Sequence, residues 1–258
     1  MDLLLPAIVG FLVGNVMSAL IRYARHHYET LLPLRRVLHT ICSSEAVVVV
    51  ISTVRGEKYY DIEDREIDYS YAPQEKNVTM VLDALGLSYV AKMLDAIKPR
   101  SVVYKTSVER SHEDWEKNLI LLGSPLSNAF TKNALAFTNR LTFSDDVTEI
   151  MDNGDGGRYG RNKDVDHAII ARITRDTPQG TRTYLILAGL GPVGTAGACH
   201  YIATNYRRLA KWLREQENPR EFQILLKVNR SAGFTVWGEE KKIPINPQRS
   251  NKPIQPTR

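Results

Sequence analysis

Cysteine is almost missing from this chain of 258 residues: Cys42 and Cys199 stand alone, with no CxxC pair and no Cys/His cluster at zinc spacing. No metal site is indicated, neither thiol needs a disulfide, and a reducing compartment is the economical expectation for the folded part. The P-loop pattern is absent too, and no internal repeat is present, so a stacked-repeat architecture is excluded. The most informative absence is of charge. From Leu3 to Ile21 the chain reads LLLPAIVGFLVGNVMSALI, nineteen residues without a charged side chain.

As a helix that run covers about 28 Å, close to the hydrocarbon thickness of a bilayer. A buried core helix and a cleaved signal peptide are the competing readings. A signal peptide carries its positive charges ahead of the apolar segment, whereas here Asp2 precedes it and Arg22, Arg25, His26 and His27 follow. The same asymmetry puts the N-terminus outside and everything after Arg22 in the cytoplasm, as a single-pass protein of an inner membrane. Gly10 and Gly14 stand at GxxxG spacing, and Asn15 and Ser18 add hydrogen-bonding groups in an apolar setting; small and polar residues of this kind favour helix association, hence a homo-oligomer. Residues 23–43 read as a basic, aromatic juxtamembrane linker, lying on the membrane or forming a stalk, with Pro33 as a kink.

Hydrophobic residues make up 43% of the chain and charged residues 24%, ordinary values for a globular body. Part of the net charge of +5 is concentrated beside the apolar run and in the last twenty residues. A basic stripe next to an apolar helix points to anionic lipid as partner in preference to a nucleic-acid duplex.

Residues 44–238 alternate strand and helix patterns. Ala46 to Val54 (AVVVVISTV) is a β-branched run suited to a strand buried on both faces, and a charged, tyrosine-rich excursion follows to Lys76. Asn77 caps a helical period ending near Pro99, and strands follow at 101–106 and 118–123. Residues 129–138 are helical, 166–174 and 183–189 form a hairpin, a long helix reaches Arg214, and strands occupy 221–228 and 233–237. Residues 152–161 (DNGDGGRYGR) read as a mobile loop, and 239–258 as a flexible tail. The expectation is an N-terminal transmembrane helix over residues 1–22, then a three-layer α/β domain with a mostly parallel sheet and an antiparallel edge.

Ligands of such sheets sit beyond the carboxyl ends of the strands. Two turns there carry candidate binding groups: Gly123, Ser124, Ser127 and Asn128 after one strand, and Gly189, Gly191, Gly194 and Thr195 after another, with Arg158 and Arg161 as candidates to meet phosphate. Gly189, Gly191 and Gly194 fit GxGxxG, yet the turn comes late in the chain and the acidic residue about twenty positions on, Glu215 or Glu217, lies beyond the helix, so dinucleotide binding of the usual kind is weakly supported and no cofactor is implied. The bland alternative is that these glycines only let a strand turn into its helix.

The segments LILLGSPLSNAFTKNAL (119–135) and YLILAGLGPVGTAGACHYI (184–202), behind an AVVVVIST strand and a single apolar helix, resemble the Rossmann-like nucleotide-sensing domains of prokaryotic antiviral membrane effectors. The resemblance implies binding of a nucleotide second messenger, then oligomerisation and membrane disruption, and the first expectation is a non-enzymatic effector. The alternative is a membrane-anchored nucleotide or N-glycoside hydrolase, for which Glu109 or Asp166 would supply the carboxylate. A third is an anchored scaffold.

Overall fold

In the computed structural model, residues 4–52, 58–60, 66–68, 81–109, 111–138, 140–231 and 235–245 are described. The chain begins with α1 (Leu4–His26) and passes through a π-helical turn (His27–Leu31) into α2 (Leu32–Leu38) and a 3₁₀ turn (His39–Ser43). Side chains of α1 are described from Asn15 onward, and every residue from there to His26 is exposed. Among the described residues no helix is long and apolar enough to cross a membrane. Gly10 and Gly14 lie on the α1 backbone, but their surroundings fall outside the described residues.

The π turn has a local cause. Pro33 lies in the first turn of α2 and has no N–H to give to the carbonyl of Glu29, while its ring crowds that carbonyl. The helix widens, with Leu32 N–H reaching His27 O, and Arg207 Nε donates to the vacated Glu29 carbonyl at 2.7 Å. Helix α2 and the 3₁₀ turn depart from the stalk expectation over the second half of residues 23–43, where Leu34, Val37, Leu38 and Ile41 are buried in the main core. Arg172, 2% exposed, ties the α2 terminus to the segment before β11 from inside, donating to Val37 O at 2.8 Å and to Arg220 O at 3.0 Å.

Next come β1 (Val47–Ile51), the short pair β2 (Lys58–Tyr60) and β3 (Glu66–Asp68), α3 (Val81–Ile97), β4 (Val102–Thr106), β5 (Asn118–Leu122) and α4 (Ala129–Leu135). The expected cap at Asn77 lies outside the described residues. A small antiparallel sheet, β6 (Leu141–Phe143), β7 (Glu149–Asp152) and β8 (Gly157–Gly160), precedes β9 (Val165–Thr177), β10 (Gly180–Gly189), α5 (Pro192–Glu215), β11 (Glu221–Asn229) and β12 (Thr235–Ile245).

The 7-stranded sheet has the order β12-β11-β9-β10-β5-β1-β4. Strands β4, β1, β5, β10 and β11 point one way, β9 and β12 the other. Alternation divides the strands between two cores: Val47 and Val49 face α2, α3 and α5, while Val48 and Val50 face α4 and the small sheet. The result is a three-layer mixed α/β body.

Two stretches depart from expectation. Residues 152–161 are the β7–β8 hairpin, held by Asp152, a buried carboxylate paired with Arg140 Nε and Lys241 Nζ, each at 2.8 Å. Residues 239–245 continue β12 as the edge strand, and its lysines and Pro244 suit an edge as well as they suit a tail.

Candidate functional site

Strand β1 has its successor β4 on one side and β5 on the other, so the connections leaving β1 and β5 diverge. This is the doubly wound arrangement, in which the crevice beyond the carboxyl ends of two such strands is the usual ligand position. Helices on opposite faces, α3 and α4, flank it.

Hydroxyls gather at this position. Gly123 follows β5 with φ +102°, and its N–H donates to Leu187 O of β10 at 3.1 Å. A Cβ there would lie 2.9 Å from Ser52 Oγ and 3.2 Å from Ser127 Oγ, so only glycine lets the end of β1 and the turn approach this closely. Ser124 and Ser127 are half-buried, their hydroxyls 3.4 Å apart, and Ser107 at the end of β4 donates to Ser127 O at 3.0 Å. Asn128 is buried and fully used: its Oδ1 accepts from Phe130 N at 3.0 Å as the α4 cap, and its Nδ2 donates to Leu122 O at 2.9 Å.

One residue outside the sequence-based candidates belongs here. Asp83, in the first turn of α3, is 3% exposed. Ser52 Oγ donates to its Oδ2, while its Oδ1 has no hydrogen-bond partner among the described residues. Burial pushes the Asp83 carboxyl up from 3.8 to about 6, with the Ser52 bond pulling the other way. A signal existed: Asp83 is in phase with Gly86, Val90, Met93 and Leu94, the buried stripe of α3.

The second turn lies alongside, since β10 pairs with β5. It is closed on itself. Thr195 Oγ1 accepts from Gly189 N–H at 3.1 Å, and a Cβ on Gly189 would fall 2.6 Å from Gly194 Cα. The anion position at the start of α5 is occupied from within: Asp166, on β9, accepts from Gly194 N–H and from His167 N–H, each at 2.8 Å. Burial raises this carboxyl to about 6, against those bonds and the charges of Arg161 and Arg230.

Arg161 does reach this turn, its Nη1 2.7 Å from where a Cβ on Gly191 would stand. Arg158 instead pairs with Glu149 at 3.2 Å on the outer sheet. Asn15 and Ser18 are exposed on α1. Of the two carboxylates nominated for hydrolysis, Glu109 is exposed and accepts from Thr106 N–H at 2.8 Å and Thr106 Oγ1 at 2.9 Å, which hold its carboxyl pKa below the usual range. Both oxygens of Asp166 are engaged with backbone N–H groups.

The fold is a mixed α/β domain with hydroxyl groups gathered at its switch point. No protein-family model matches the chain, and no curated protein matches it.

Proposed function

We propose that this protein is a single-helix membrane effector: α1 anchors it with the N-terminus outside, and a Rossmann-like cytoplasmic domain binds a nucleotide-type second messenger at the switch point. Binding to one assembly state in preference to another drives oligomerisation and membrane disruption, the behaviour implied by its resemblance to antiviral effectors. The observation that carries the reading is the pairing of that crevice with a helix whose described apolar side chains lie bare. Val16, Met17, Leu20 and Ile21 are each more than half exposed (58, 51, 55 and 62%). A helix of 23 residues with bare apolar groups needs lipid or further copies of itself to cover them.

Full-length protein extracted in detergent tests this, by mass spectrometry of small molecules that co-purify and by native mass of the assembly. A nucleotide retained intact, with a change of oligomeric mass on its removal, is the expected result. Turnover of that nucleotide would favour the hydrolase. Recovery in the supernatant of an ultracentrifuged lysate without detergent removes the anchor. Gly14→Leu should weaken assembly in detergent, read as fewer cross-linked oligomers than the parent forms.

A further inference from the structure

We infer that the outer face of α5 is a docking surface for anionic lipid headgroups, on which the domain rests against the bilayer; this rests on the reading of α1 as an anchor. Helix α5 carries Arg207, Lys211 and Arg214 at i, i+4 and i+7, so its solvent side presents a cation at every turn along a single stripe, and each is exposed. Among the described residues the ion pair of this stripe is Lys211 Nζ to Glu215 Oε1, at 4.0 Å. Arg35 on α2 and Lys92 on α3, the helices that share this layer, are exposed too, with Asp95 and Glu215 set against them. The opposite layer, α4 and the small sheet, is mixed: Asp145, Asp146 and Asp155 are exposed, as are Lys132 and Arg158. The basic layer is the one from which α1 departs.

The joint at the π turn places this layer relative to lipid. Arg207 Nε donates to Glu29 O at 2.7 Å, and Glu29 follows Ile21, the end of the uncharged run, by two helical turns. At helical rise that is about 12 Å beyond the hydrocarbon. Headgroups fill about 5 to 7 Å of it, and a surface potential reaches roughly 8 Å further, so Arg207 stands inside the field of an anionic leaflet. Tyr23 and Tyr28, 68 and 69% exposed, occupy the intervening stretch, where amphipathic rings meet headgroups. Helices bend at π turns, and a tilt of the body at His27–Leu31 lays Lys211 and Arg214 on the surface beside Arg207. The same cations suit a nucleic-acid backbone, but the tether holds them against lipid at a high effective concentration, which favours headgroups.

The test uses full-length protein reconstituted in vesicles of phosphatidylcholine, alone or mixed with phosphatidylglycerol, and reads how fast a water-soluble maleimide added outside labels Thr204→Cys. Thr204 is exposed on α5 one turn ahead of Arg207, and Asn133→Cys on α4 is the control from the opposite layer. Labelling is followed peptide by peptide, which separates the new thiols from Cys42 and Cys199. Phosphatidylglycerol should slow Thr204→Cys about tenfold and leave Asn133→Cys unchanged. Adding Lys211→Gln and Arg214→Gln should restore the fast rate, whereas Lys211→Arg with Arg214→Lys should keep it slow. Equal rates in the two lipids, from protein that still withstands carbonate extraction, overturn the docking face and leave the anchor standing. Protein that carbonate strips from both kinds of vesicle overturns anchor and face together. Stronger protection by an oligonucleotide added to phosphatidylcholine vesicles than by phosphatidylglycerol assigns the stripe to nucleic acid and overturns the proposal.

Discussion

The turns after β5 and β10 share one plan, strand to glycine to polar loop to helix, and they end in opposite electrostatic states. After β10 the start of α5 is filled by Asp166, both of whose oxygens receive backbone N–H groups. Beside the end of β1, next to the β5 turn, the buried carboxylate of Asp83 arrives from α3, with one oxygen unmatched among the described residues. The difference follows from strand direction. Antiparallel β9 begins where β10 ends, with Ala168 opposite Gly189, and so delivers Asp166 to that end of the sheet. The strands beside β5, namely β1 and β10, are parallel to it and deliver their own carboxyl ends instead. A turn completed by its own chain is a structural joint. One left incomplete is where a ligand has something to add.

The largest effect expected from this contrast is at Gly189. An added methyl would meet the backbone of Gly194, which no rotamer change relieves, so Gly189→Ala should lower unfolding free energy by about 3 kcal/mol or more in a urea titration. A tolerated Gly189→Ala would show that the β10 turn is looser than its contacts. Next comes Asp166→Ala, which leaves the buried N–H groups of Gly194 and His167 without acceptors and should cost about 2 kcal/mol.

Asp166 also carries a pH signature. Its carboxyl stands at about 6 in the folded protein against an ordinary 3.8, and Asp83 does the same. The folded state therefore holds these protons more tightly than the unfolded one, and stability should fall as pH rises from 3.8 to about 6 and level off above. Each group contributes up to about 3 kcal/mol to that fall. Asp166→Asn should remove about half of it, and an undiminished slope would mean the turn is not filled by an ionisable anion.

Much of the frame was legible because burial on both faces leaves a plain signature. The run Val47–Val50 announces a central strand, and the β9–β10 hairpin shows in its apolar strands and intervening turn residues. The glycines at 123 and 189 were legible as tight turns, but their occupancy was not, since a helix N-terminus looks the same in sequence whether a distant carboxylate fills it or not. Asp166 and Gly194 are 28 positions apart, and only the strand register joins them. The small sheet of β6, β7 and β8 escaped because its strands are only 3 to 4 residues long, with charge in β7 and glycine in β8. Residues 23–43 misled for a related reason: the arginines flanking Leu34, Val37 and Leu38 resemble a membrane-surface helix, whereas the apolar residues face α5.

The smallest effect is the most discriminating. Among the described residues Ser127 Oγ has only long hydrogen-bond contacts, 3.4 Å to Ser124 Oγ and 3.4 Å to Ser124 O, so its hydroxyl adds little to the turn. Shape there is held by other bonds: Ser127 N–H to Ser124 O at 3.1 Å, and Asn128 locked to Leu122 and Phe130. Ser127→Ala should therefore stay within about 0.5 kcal/mol of the parent in urea while weakening nucleotide retention. The outcome that matters is the ratio of those two readouts. A stability loss as large as that of Asp166→Ala would make the hydroxyls at β5 scaffolding too, and the two turns would no longer differ in kind.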